Sequence, residues 1–379
     1  WKLGGVSGRE TAMNLDALPT THPVVQTIRT ASEMEQAFDA ITYQKGQAII
    51  GMLEDYVGED VWRTGIRSYM AQHQYANTQS KDLWSAIEAA GAKDVNLIAD
   101  AFTRIPGVPL LRVKAAMCKG GKTRLQLAQD AFSLDPSDRG GEKPTWPMPL
   151  LIRVGDQAPV RHLMTGKTDN VVLNGCGTVL VNSGQLGYFR TLYDAALLQK
   201  LTTGYANLAP IDQYGLLRDN LSLSLAGYQD MAAGLDLLAA VPADIDATLA
   251  ADVAAQWLGV YGVLENGDAQ DAFGALASQR LQPRLQKLGF DPVEGEALTD
   301  TKLRSQLVET LGGVRDAAIG TEARRRLAAL STDPTALDGP LKRVWLEAAA
   351  RQATRSDWDA IRTQAAKATS IVERQLYYS

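Results

Sequence analysis

The sequence predicts a multidomain, mainly α-helical protein with a small β-sandwich set into its middle and an α-superhelix after it. Three observations predict this. Apolar residues recur at helical spacing from Ser32 to Gly91. Short alternating runs bounded by Gly, Asp and Asn fill the stretch from Pro106 to Tyr193. From Ala195 onward, helices of moderate length alternate with breakers such as "YANLAP", "VPADID", "LENGD" and "STDPTALDGP". A chain of 379 residues is also longer than one ordinary core supports.

In the first part, Ser32 and Glu35 have the spacing of a capping box. Met34, Phe38 and Ile41 then form an apolar stripe that Ile49, Leu53 and Tyr56 continue until Gly58. This predicts a helix running through "FDAITYQKGQAIIGML". Asp60 and Ser80 are placed to cap two further helices. Trp62, Ile66, Tyr69 and Met70 mark the buried face of one, and Leu83, Trp84 and Ile87 that of the other. "VPLLRVKAAM", "KGGK" and "TRLQLAQ" read as strand, tight turn, strand. "MPLLIRV", "PVRHLM", "NVVL", "TVLV" and "GYFRTLY" are further strands, enough for a compact sandwich. The later helices pair at a spacing typical of α-solenoids, with no sharp sequence repeat. The predicted domains are therefore 1–105, 106–194 and 195–379.

Composition narrows the function classes. Hydrophobic residues make up 45% and charged residues 21%, the balance of a soluble globular protein. A net charge of -5 without a basic block argues against nucleic acid as a partner. No apolar run approaches the roughly 20 residues of a membrane span. The chain starts at Trp1 without a leader pattern and stops at "ERQLYYS" inside a helical pattern. That reads as a processed chain or a piece of a longer protein, and it leaves the compartment open between cytoplasmic and periplasmic or secreted. Cys118 and Cys176 are either two isolated thiols or a single disulfide. His22, His73 and His162 are widely separated and form no H-E-x-x-H, and no nucleophile elbow, P-loop or dinucleotide fingerprint is present.

One segment stands out. Tyr43 is followed by Lys45 and Gly46, where alanine or leucine would serve a plain helix better. Local pattern leaves two readings open. The ring packs and the hydroxyl finds a backbone partner, or the hydroxyl does chemistry.

Motif order adds a resemblance. "AMNLDALPTTHPV", "FDAITYQKGQAIIGML", "GEDVWRTGIRSYMAQHQYANTQSKDLW", "LAQDAF", "WPMPL", "NSGQLGYFRTLYD" and "LGFDPVEGE" occur in this order. Together they resemble the zinc aminopeptidases of the aminopeptidase N / puromycin-sensitive aminopeptidase family, in the part downstream of the metal-binding motif. The resemblance implies the helical end of a thermolysin-like catalytic domain, then the β-sandwich, then a HEAT/armadillo-like superhelix. It implies a metallopeptidase that hydrolyses N-terminal residues from peptides, with Zn2+ in the intact parent and none in this fragment. The zinc ligands and general base would lie in the N-terminal remainder of the catalytic domain, so the fragment is expected to be inactive alone.

The same resemblance assigns a role to Tyr43. In the family's motif the matching tyrosine binds the oxyanion of the tetrahedral intermediate. The physics suits it, because a neutral phenol donates a hydrogen bond, and a fixed donor where charge develops stabilises the transition state more than the substrate. Blander expectations attach to other residues. Lys45 is a solvated or ion-paired helix residue. Gly46 permits close approach of a neighbouring helix. His22 is a structural residue at a turn. Trp62, Tyr69 and Trp84 are core. Arg190 braces the junction between sandwich and helices, and Arg218 and Asp219 cap or pair within the superhelix. A non-catalytic peptide-binding protein or scaffold on the same architecture is the alternative function.

Overall fold

Helix α1 (Lys2–Asp16) opens the chain in a computed structural model that describes residues 2–330, 332–333, 336–337 and 339–378. The chain divides into two units, Trp1–Val241 and Pro242–Ser379. It is mostly helical, with a β-sheet region between two helical stretches of the first unit.

In the first unit, α2 (Ala31–Gln36) is followed by a π-helical turn (Ile41–Lys45), α3 (Gly46–Val57), α4 (Glu59–His73), α5 (Ser80–Ala89) and α6 (Val95–Arg104). The capping box is shifted from the expected pair. Thr30 is the N-cap and Glu33 returns the bond. The helix predicted from Phe38 starts two residues late, at Ala40, after a break at 37–39, and runs through a π-helical turn into α3. The chain turns after α2 and resumes as the π turn, because Asp39 accepts the Thr42 backbone N–H at 2.9 Å and restarts the winding there. Met34 and Phe38 consequently leave the buried stripe, with Phe38 64% exposed, whereas Ile41, Ile49 and Leu53 are buried. Met70 is exposed and Tyr69 only half-buried, while Trp62 and Trp84 are core as expected. Gln79, rather than Ser80, caps α5 in a box with Asp82. Gly65 explains how α4 meets α5, since a Cβ there would lie 2.7 Å from Ile87 Cα.

The strands fall where alternation places them. β1 (Val108–Lys119), β2 (Lys122–Phe132), β3 (Met148–Val154), β4 (Val160–Met164), β5 (Thr168–Asn174), β6 (Val179–Val181) and β7 (Arg190–Tyr193) form two sheets. One has the order β5-β2-β1-β7 and the other β4-β3-β6. β1 and β2 pair antiparallel through Gly120 and Gly121, both at positive φ, which the tight turn requires. β7 returns parallel to β1, with Leu110 opposite Arg190. Leu125 and Leu127 are buried on one face of β2 while their neighbours point away. Gln129 extends the ladder with its side chain, donating to the Trp146 carbonyl at 2.9 Å and accepting the Trp146 N–H at 2.8 Å. Cys118 and Cys176 are joined as a disulfide, Cα atoms 5.6 Å apart, so the reading of two isolated thiols does not hold. Short alternation could not show this, because the two cysteines come together only once β1, β2 and β5 are paired.

Helices α7 (Ala195–Thr203), α8 (Pro210–Leu225) and α9 (Met231–Ala240) complete the first unit. The second unit consists of α10 (Ala247–Val263), α11 (Asp268–Leu288), α12 (Leu298–Gly313), α13 (Ala317–Ala329), α14 (Lys342–Arg351), α15 (Arg355–Lys367) and α16 (Ile371–Leu376). Its core is centred on α12, where Leu303, Leu307, Val308 and Leu311 are buried at helical spacing. Arg304 lies on that helix, also buried. It bonds Glu296 with both Nη atoms, the Leu288 carbonyl with Nη2 as well, and the Gly289 carbonyl with Nε. Among the described residues no helix is long and apolar enough to cross a membrane.

Candidate functional site

Tyr43 sits in the middle of the π turn. Its side chain is 54% exposed, and its ring lies 5.9 Å from that of Phe38. The hydroxyl has no hydrogen-bond partner among the described residues. It lines a groove of about 810 Å³ together with Gln47, Ile50 and Glu54 of α3 and with Arg161 and Leu186. Single-turn π segments concentrate at functional sites, because the wider winding redirects one side chain.

The turn is held from both ends. In front, Asp39 accepts from Thr42 and meets His22 Nε2 at 2.7 Å. Partial burial opposes charge on the His22 ring, but the Pro23 carbonyl and Asp39 outweigh it and hold its pKa above the usual 6.5. Behind, Lys45 is wholly buried and its ammonium lies 2.8 Å from Asp16. The expectation of a solvated Lys45 therefore fails, and that of an ion pair holds. Gly46 needs no close approach, since the nearest atom to a Cβ there would be Val24 at 4.0 Å.

Beneath the turn, a buried charge network joins α1, β7 and α8. Arg190 bonds Glu10 at 2.5 Å and Asp219 at 3.1 Å, and Arg218 lies 3.6 Å from Glu10. Burial works against the Glu10 charge, but Arg190, Arg9 and Arg218 overcome it and hold its pKa at about 2. Arg190 thus braces the junction between sheet and helices, as expected. Asp219 pairs with the strand rather than within the helical stretch, because its second oxygen accepts the Thr191 backbone N–H at 3.0 Å.

Sequence reasoning singled out neither Asp16 nor Asp39. The available signal was Asp16 at the end of a run containing the buried Ala12 and Met13, an acid on an apolar face. His22, His73 and His162 lie apart, and His162 pairs with Asp169 at 2.7 Å. No group of three or more His, Cys, Asp or Glu among the described residues could hold a metal ion.

Comparison with known proteins decides the family. Residues 2–102 match the Peptidase family M1 domain, and residues 178–379, more than half of the chain, match the ERAP1-like C-terminal domain. The chain belongs to the M1 peptidase family. Aminopeptidase M1 of Arabidopsis thaliana is 29% identical to this M1 chain over 91% of its length and 41% of the relative's. Tricorn protease-interacting factor F2 of Thermoplasma volcanium is 31% identical, over 85% of the chain and 39% of the relative. Aminopeptidase M1-A of Oryza sativa subsp. japonica is 30% identical, over 83% and 37%. The M1 chain thus spans about two-fifths of the length of these relatives. The π turn and Tyr43 lie inside the M1-domain match.

Proposed function

We propose that this chain is part of a zinc-dependent aminopeptidase that hydrolyses N-terminal residues from peptides, and that Tyr43 donates to the oxyanion of the transition state. One observation carries the reading. Within the M1-domain match, a tyrosine hydroxyl without a partner faces an open groove from a turn clamped on both sides. A packing tyrosine would place its ring in the core and its hydroxyl on a backbone group. An unpaired donor held in a groove suits an oxygen that gains charge only during reaction, where it acts on the transition state and not on the resting substrate. A non-catalytic scaffold has no use for such a donor.

Zinc would be held by other residues of the whole protein. The three-part division at 1–105, 106–194 and 195–379 belongs to the same proposal, with the two sheets as a sandwich and the later helices as the start of a superhelix. The two-sheet strand order and the alternating helices support it.

Two experiments test the proposal. In the whole protein, Tyr43→Phe lowers turnover of an aminoacyl-anilide by about a hundred- to a thousandfold, with the fold unchanged by circular dichroism. Wild-type turnover in that variant would exclude the assignment. The 379-residue chain alone binds no stoichiometric zinc and does not cleave the same substrate. Metal binding together with cleavage would refute the view of it as an incomplete site.

A further inference from the structure

Lys45 and Asp16 are both 0% exposed, and between them every polar atom is used. The Lys45 ammonium has three acceptors: Asp16 Oδ2 at 2.8 Å and the carbonyl oxygens of Ile105 at 3.3 Å and Gly107 at 3.4 Å. That equals its three protons. Asp16 Oδ2 also accepts from the Tyr188 hydroxyl at 3.0 Å. Its Oδ1 accepts from the Gly107 backbone N–H at 2.9 Å and from the Thr21 hydroxyl at 2.5 Å. The Tyr188 ring lies 5.3 Å from the ammonium. The end of α1, the π turn, the loop after α6 and the segment before β7 thus meet at one lysine.

Stability alone does not call for this arrangement. A buried ion pair returns about what its desolvation costs, and apolar residues of similar volume often do as well. What a fully bonded pair adds is direction. Side chains two residues apart on a helical turn do not share a face, so drawing Lys45 inward turns Tyr43 outward. Burial pulls the Lys45 pKa down, and the Asp16 charge and hydrogen bond oppose that fall.

We propose that the Asp16–Lys45 pair is a positioning device for Tyr43, fixing the rotation of the π turn so that the phenol stands in the groove. Neither residue touches substrate. The inference rests on the reading of Tyr43 as the oxyanion donor and extends it to what aims that donor.

A double-mutant cycle in the whole protein tests it. Lys45→Met lowers kcat by roughly ten- to hundredfold, the effect of misplacing a catalytic group by about 1 Å, with a much smaller change in KM. In the Tyr43→Phe background the same substitution brings little further loss, since there is no hydroxyl left to aim. Asp16→Asn has the shape of the carboxylate and gives the same pattern where Lys45→Met fails to fold. Equal losses in both backgrounds would mean that the pair acts only on the fold, and an unchanged kcat would mean that it does not aim Tyr43. Either result overturns the inference while leaving the oxyanion reading intact. Wild-type turnover in Tyr43→Phe alone would instead bring down that reading, and the inference with it.

Discussion

Arg190 on β7 and Asp219 on α8 meet at 3.1 Å, and the guanidinium side chain is wholly buried. Glu10 on α1 holds the same guanidinium, so one residue links a strand to helices from distant parts of the sequence. Removing it would take the ion-pair partner from the buried Asp219 and leave the buried Glu10 to Arg9 and Arg218 alone. Arg190→Met is expected to destabilise the chain by on the order of 3–5 kcal/mol, seen as an earlier urea midpoint. A midpoint within error of the parent would show that the network is not buried in solution.

The clamp in front of Tyr43 titrates. The His22 pKa is raised, so its contribution is fully present below 6.5 and disappears as pH rises through the folded value. Burial pushes Asp39 up, but the Thr42 N–H and His22 more than offset it, and its pKa is lowered. Its contribution is present above its ordinary 3.8 and is lost as pH falls through the folded value. Both contribute between those limits. An NMR titration should place the His22 midpoint above 6.5, and Asp39→Asn should lower it. An identical midpoint in the variant would rule out the coupling.

Two helical glycines make opposite predictions. Gly65→Ala drives a methyl into Ile87 Cα and should destabilise by about 1–3 kcal/mol as α4 and α5 separate. Gly51→Ala, in α3, meets nothing within 4 Å and should stabilise by about 0.5–1 kcal/mol. Thermal melts of the two variants that shift in the same direction would contradict this packing.

The disulfide between Cys118 and Cys176 spans 58 positions of sequence. Replacing both cysteines with alanine should lower stability by roughly 2–4 kcal/mol, because the unfolded chain regains the freedom of that loop. Mass spectrometry of the untreated chain should find no free thiol, and alkylation at either cysteine under native conditions would contradict the bond.

Legibility in the sequence followed the range of the interactions. Each of the seven strands lies in a short apolar run bounded by turn residues, because strand and turn preferences are local properties. The break at 37–39 is not legible in the sequence because Asp39, a competitor for the backbone, looks like one more polar residue. Met34 and Phe38 followed it out of the predicted core.

By itself the sequence determined the helical and stranded textures, the M1 resemblance and the choice of Tyr43, since periodicity and motif order are written along the chain. Only the tertiary structure decided that Lys45 is buried on Asp16, that Cys118 reaches Cys176, and that Arg190 is shared by Glu10 and Asp219. Those pairs are separated by 29 to 180 positions. Their energy depends on excluding water from both partners at once, which no local pattern records.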